Sequence, residues 1–378
     1  MSHISLQLLF WFFLLFRPTT EHLSISSADI DLPAGNILGV TFSDDAKNLF
    51  VQQLVFSSEK TNRSGSMTGY LKLSSWRTDS RSMIAERDVA GLPPGANSYP
   101  CGQIQVDSKL QRLITCSSGD HLDLFDSMNL KTVGRIGSEL DQSIYDFAVD
   151  QRQDLVFVLS SHKDGELWLT SYSLSNSAQR QTTAVSSHSH LVRTSMAVGP
   201  LEGTIALAVT RADRSEDETE IYLCHQEQAF ACTSMAKVPP VAQMAFFGKQ
   251  LLYVTLNFAD SKHDCIMAID PAASAAKPAY CSPSTGVHYA MGVAAGKYVL
   301  GYTGRSKRGF FSEEVRQVKS TFSVWRAEER DVAVVIDDPR PHGAFQNEMR
   351  ITASSTEPVF AAYERVSNTL QIYTIADH

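Results

Sequence analysis

The chain has 378 residues, 43% of them hydrophobic and 20% charged, with 21 Gly and 14 Pro. These proportions exclude a disordered chain and fit either two ordinary domains or one large all-β domain. With 33 Lys+Arg against 41 Asp+Glu the net charge is −8, so the basic surplus of a general nucleic-acid binder is missing and no nucleic-acid partner is expected.

The first element is an apolar run, Ile4 to Phe16, ended by Arg17-Pro18. As a helix it rises about 20 Å, short of the roughly 30 Å hydrocarbon core, so its length matches a signal-peptide core. Residues 1–20 are therefore read as a signal peptide, with cleavage between Thr20 and Ser27. No Lys or Arg precedes the run and no A-x-A site follows it, which keeps an uncleaved anchor as the alternative. No later segment has 18 unbroken apolar residues, so no stable membrane span is expected after signal removal. The expected product is secreted or periplasmic.

The six cysteines fall in three local pairs, Cys101/Cys116, Cys224/Cys232 and Cys265/Cys281. If Val106 faces Gln111 across a four-residue turn, Cys101 faces Cys116, within disulfide reach. The other two pairs also bracket short hairpins, so three disulfides are expected and agree with export. No C-x-x-C spacing occurs, and no metal is expected. Asn62-Arg-Ser64 is a glycosylation sequon if the source glycosylates.

Beyond the leader the chain reads as strands: short alternating runs of Val, Ile, Leu, Phe and Tyr, broken by Asp, Gly, Ser, Asn and Pro. A hairpin of an apolar strand, a polar turn and a more hydrophobic strand recurs seven times. It starts at Val40, Ile104, Phe147, Met196, Met244, Met291 and Met349. A third strand recurs with it, ending at Trp76, Phe125, Tyr172, Cys224, Ile269, Trp325 and Tyr373. Seven copies at a period of about fifty residues, each with room for four strands, predict seven propeller blades. The last copy stops after its third strand. The segment His22–Leu32 supplies the missing outer strand and joins the chain's two ends. The prediction is one all-β domain, residues 22–378: a seven-bladed β-propeller of four-stranded antiparallel blades. A pair of β-sandwiches would explain the strands but not the period.

The pattern resembles the seven-bladed propellers of the WD-repeat-like and YVTN-repeat-like superfamily. No copy holds the full G-H…W-D signature, and the YVTN tetrapeptide is absent. The resemblance implies that loops leading into each innermost strand share a face with loops joining second to third strands. The leading loops hold Tyr99, Tyr145-Asp146, His188, His190, Arg193, Gln243, His288-Tyr289 and His342, and Arg350 opens the seventh inner strand. The second-to-third loops are long at Ser57–Gly69, Arg211–Glu220 and Thr303–Lys319. The last holds Arg305-Ser-Lys-Arg308 and Phe310-Phe311, a partner-binding loop, a dibasic processing site or an exposed insertion.

His titrates near neutrality and Arg pairs bidentately with carboxylate, so these loops suit an anionic or carbonyl-bearing ligand. Polar rim residues that merely meet solvent are the plain alternative. G-x-S-x-G, the Walker-type loop, H-E-x-x-H and the EF-hand loop are all absent from the sequence. No cofactor is expected. The first functional reading is a non-catalytic, monomeric binding propeller whose partner is a protein or small molecule. Its ligand residues would be Tyr99, Tyr145, Asp146, His188, His190, Gln243 and Tyr289. The resemblance also extends to propeller lactonases and carboxymuconate-cyclising enzymes. It implies an alternative in which His288 or His342 is the acid/base and Arg193 or Arg350 stabilises a carboxylate or oxyanion. A structural scaffold without a pocket is the third.

Overall fold

The described strands form seven four-stranded antiparallel sheets, a seven-bladed β-propeller, and no α-helix occurs among the described residues. The computed structural model describes residues 23–56, 69–91, 103–116, 119–137, 143–161, 166–187, 191–212, 217–226, 230–255, 265–273, 275–282, 287–304, 320–329, 332–338, 349–365 and 368–378. The leader, the sequon at Asn62, and Tyr99, Cys101, His188, His190 and His342 lie outside them. So do residues 57–68, 213–216 and 305–319 of the long second-to-third loops. Among the described residues no helix is long and apolar enough to cross a membrane.

Six blades run in chain order from inner to outer strand, and the seventh is completed from the far end of the chain. Its outer strand, Leu23–Asp31, pairs antiparallel with Thr369–Asp377, from Leu23 opposite Asp377 to Asp31 opposite Thr369. The seven inner strands are Asn36–Phe42, Ile104–Asp107, Ser143–Asp150, Leu191–Val198, Val241–Phe247, Val287–Ala294 and Met349–Ala353. Of the seven residues that end the recurring third strand in the sequence, six are the last but one of their blades' third strands, and Tyr373 lies mid-strand because Thr369–Asp377 continues past it.

Acidic turns hold the hairpins. Asp107 Oδ1 accepts the Leu110 N–H at 3.0 Å, and Asp150 Oδ1 accepts that of Arg152 at 3.1 Å. Such side-chain bonds reproduce a backbone turn and free the strands to start beside it. The second hairpin departs from its expected register. Val106 faces Leu113, not Gln111, and Ile104 faces Thr115. Asp107 pairs with Arg112 as the last rung, the turn is Ser108–Gln111, and Gln111 takes a left-handed φ of 53° to re-enter the sheet. The other hairpin disulfides form in direct register: Cys224 opposite Cys232 and Cys265 opposite Cys281, each with Cα atoms 4.0 Å apart. Cys116 is buried and disulfide-bonded.

The core is a ring of seams between neighbouring blades. At the seam of blades 3 and 4, Phe157, Leu159 and Leu169 meet Ile205, Leu207 and Phe230. At the seam of blades 6 and 7, Tyr302 and Phe322 meet Phe360 and Tyr373, the last two stacked at 4.6 Å. Each sheet thus buries both faces only because its neighbours flank it, which ties the blades' stability to closure of the ring.

A candidate ligand site at the mouth of the channel

The inner strands enclose a central cavity of about 880 Å³, to which all seven contribute. That size falls within the range of small-molecule sites. Inner strands of neighbouring blades do not hydrogen-bond as a sheet, so side chains cap their backbone edges. Gln105 of blade 2 donates to the Phe147 carbonyl of blade 3 and accepts the Val149 N–H, both at 2.9 Å. Gln243 of blade 5 donates to Ile351 O of blade 7 at 2.8 Å and accepts Met291 N–H of blade 6 at 3.3 Å. A buried peptide edge left bare would cost free energy, and these amides prevent that.

The two ends of the channel differ. At the end where the inner strands finish, hydrogen bonds knit one blade to another. Gln151 donates to Asp44 Oδ1 at 3.1 Å and to Val106 O at 2.9 Å. Asp44 N–H donates to Ser108 Oγ at 3.0 Å, and the Thr356 hydroxyl donates to the Asp44 carbonyl. At the end where the strands begin, here called the mouth, the wall carries Tyr145, Asp146, Arg193, Arg350, Tyr363 and Arg365.

A one-residue bulge shapes this mouth. It interrupts the pairing of inner and second strands at Ile37/Gly39, Ile144/Asp146, Leu191/Arg193, Val241/Gln243 and His288/Ala290. Bulges re-aim the residue that follows them. In blades 1 and 6 that residue is small, Gly39 or Ala290. In blades 3, 4 and 5 it is Asp146, Arg193 and Gln243, an arc of polar groups on one side of the ring.

Asp146 is 1% exposed. Its Oδ1 accepts the Phe147 N–H at 2.8 Å, while Oδ2 is buried without a full hydrogen bond. Burial pushes its pKa up to about 7, opposed by the Phe147 N–H and by the side chains of Gln103 and Thr194, both also in the cavity wall. Desolvation disfavours the charged carboxylate, and these donors recover only part of that cost. Across the ring, Arg350 and Arg365 flank Tyr363. Burial raises the Tyr363 hydroxyl and the two guanidiniums oppose the rise. Arg350 Nη1 also donates to the Met349 carbonyl at 2.8 Å.

Of the residues singled out in the sequence, the cavity wall contains Tyr145, Asp146, Arg193, Gln243 and Arg350. His288 and Tyr289 are buried within blade 6 and are not among the wall residues. His288 is 2% exposed, with its ring 6.0 Å from that of Trp325. A side chain at Gly301 would come within 2.8 Å of His288 Cδ2 and 3.0 Å of Trp325 Cζ3, so the glycine makes room for both rings. Burial lowers the His288 pKa to about 4. The sequence reading missed Arg365 and Tyr363, which reach the mouth from the end of a second strand, and Gln103 and Gln105. The alternation that placed strands was a usable signal for Gln105, since it falls between the buried Ile104 and Val106.

No protein-family model matches the chain, and no curated protein matches it. Among solved structures 1030 chains match. One of them, described as "Structure of U3-55K", superposes with a TM-score of 0.58 at 9% identity, covering 92% of this chain and 98% of that one. At that identity the likeness is one of fold.

Proposed function

We propose that the protein is an exported binding propeller that takes a small carboxylate-bearing ligand into the mouth of its channel. The observation that carries this reading is the charge of the wall. Among the described residues, three guanidiniums, Arg193, Arg350 and Arg365, stand at the mouth with one carboxyl, Asp146, whose burial holds it toward neutrality. In a chain of net charge −8, such a group of guanidiniums attracts anions, and guanidinium matches carboxylate geometry. Tyr145 and Tyr363 add apolar ring surface beside polar hydroxyls, a composition common in small-molecule sites. The hairpin disulfides support the export half, since such bonds persist in oxidising compartments.

Lactone chemistry at the same mouth is the second reading. Its acid/base would be Asp146, whose raised pKa suits proton transfer near neutrality, in place of His288.

Calorimetric titration with succinate and glutarate at pH 6 tests the binding reading. We expect saturable one-to-one binding that R350Q and R193Q each weaken by about tenfold or more, the loss of one charge-assisted pair. No heat with either acid at millimolar concentration, or affinities indifferent to both substitutions, overturns it. Intact mass of the secreted protein, with and without reduction, tests export. A start near residues 21–28 with no free thiol is the expected result, and an intact Met1 with six thiols the opposite one.

A further inference from the structure

Resting on the reading of the mouth as a carboxylate site, we propose that ligand binding there is coupled to uptake of one proton by Asp146, whose neutral carboxyl donates its O–H to the incoming carboxylate. The argument starts from placement. Asp146 lies in the cavity wall, on the arc made by the repeated bulge, next to Arg193 of the adjoining blade. One of its oxygens is held by the Phe147 N–H, and the other is buried with no full hydrogen bond. A buried oxygen in that state is costly unless something enters to complete it. A carboxylate ligand completes it only if Asp146 carries a proton, because two anions in one desolvated space repel.

Burial favours that proton, against the Gln103 and Thr194 side chains, which favour the anion. On blade 2 the neighbouring inner strand presents Gln103 and Gln105, which are neutral amides. On blade 4 it presents Thr194 and the cation Arg193. The second strand of blade 3 places Leu159 opposite Asp146 and Ser160 beside it. On its own strand the titratable neighbour is Tyr145. No second carboxylate stands among these described neighbours, and burial is the main influence on the group. The step is a plain protonation: solvent supplies the proton, the Asp146 carboxylate takes it on Oδ2, and the O–H then points to a ligand oxygen. Arg193, and Arg350 and Arg365 across the cavity, keep the ligand charged, so the proton settles on the protein and not on the ligand.

Succinate binding followed by calorimetry from pH 6 to pH 8.5, in buffers of differing ionisation heat, tests the coupling. We expect uptake of about half a proton per ligand at pH 7, rising toward one at pH 8. The affinity of the native protein falls about 30-fold between pH 6 and pH 8.5 if a group titrating near 7 must be neutral. In D146N, whose amide is a permanent donor, the low-pH affinity persists to pH 8.5 and no proton is taken up. Proton uptake by the native protein decides the matter even where the variant folds poorly. Binding that is sensitive to R350Q but takes up no proton and ignores pH overturns the coupling and leaves the carboxylate site standing. Absence of succinate binding at every pH overturns both.

Discussion

Asp146 and His288 stand beside the same recurring bulge, one residue after it in blade 3 and one before it in blade 6. Both are almost fully buried, and in both burial drives the group toward its neutral form. There the likeness ends. Asp146 shares a polar wall with Arg193, Thr194 and Gln103, open to the channel. His288 is wedged between Gly301 and Trp325, and neither of its ring nitrogens has a hydrogen-bond partner among the described residues. In blades 3 and 6 the two sides of the bulge thus end in different surroundings, cavity wall for Asp146 and blade interior for His288. A histidine in a leading loop is a poor guide to a site unless the bulge is located first.

The largest test of this contrast is in blade 6. Trp325→Ala would remove a fully buried ring that packs on His288 and Tyr280. We expect a loss of about 3–5 kcal/mol in denaturant unfolding, with succinate affinity unchanged in the folded fraction. Gly301→Ala should cost about 1–3 kcal/mol by overpacking the same two rings. Altered ligand affinity with intact stability would reverse the assignment of interior and wall.

The pH dependence of stability separates the two groups next. The His288 pKa falls from 6.5 to about 4 on folding, so its stabilising contribution is full above pH 6.5 and is lost as pH drops toward 4. That of Asp146 rises from 3.8 to about 7, so its contribution is full below pH 3.8 and is lost as pH climbs toward 7. Between about pH 4.5 and 6 the slopes oppose, each about 1.4 kcal/mol per pH unit. Native stability should be nearly flat there. His288→Leu should make it fall with rising pH, and Asp146→Asn should make it rise. Urea midpoints at three pH values decide this, and parallel profiles for both variants would refute it.

The smallest expected effect is that of Thr194→Val, which deletes a hydroxyl that lowers the Asp146 pKa. The Asp146 titration, followed by carboxyl NMR, should move upward by less than about one unit, with stability changed by under about 1 kcal/mol. A downward move would mean that Thr194 does not donate to the carboxylate.

The architecture was legible in the sequence because each blade repeats its signals locally. Alternation marked strands, the third-strand aromatic or apolar residue set the period, and the short last copy pointed to Leu23–Asp31 as its partner. The pairs Cys224/Cys232 and Cys265/Cys281 could be read because each spans one hairpin in direct register. The hairpin after Ile104 was misjudged by two residues because Asp107 extends the ladder to Arg112 and then caps the turn. Candidate residues at the mouth were half legible. Loop position sufficed to place Tyr145, Asp146, Arg193, Gln243 and Arg350 in the cavity wall. It failed to separate His288 from them, because one extra residue in a strand leaves no mark on hydrophobic alternation. Arg365 and Tyr363 arrive from a strand end that the leading loops do not include.

The pairing of Leu23–Asp31 with Thr369–Asp377 also sets an order in time. A ribosome adding roughly 5–20 residues per second makes the first strand tens of seconds before the last. Until then Leu23–Asp31 is a bare edge, and blades 1 and 7 lack the seam where Ile37, Leu49 and Val51 meet Ala361 and Ile372. A chain that stopped before Thr369 would leave Leu23–Asp31 without its partner, and the circle would open.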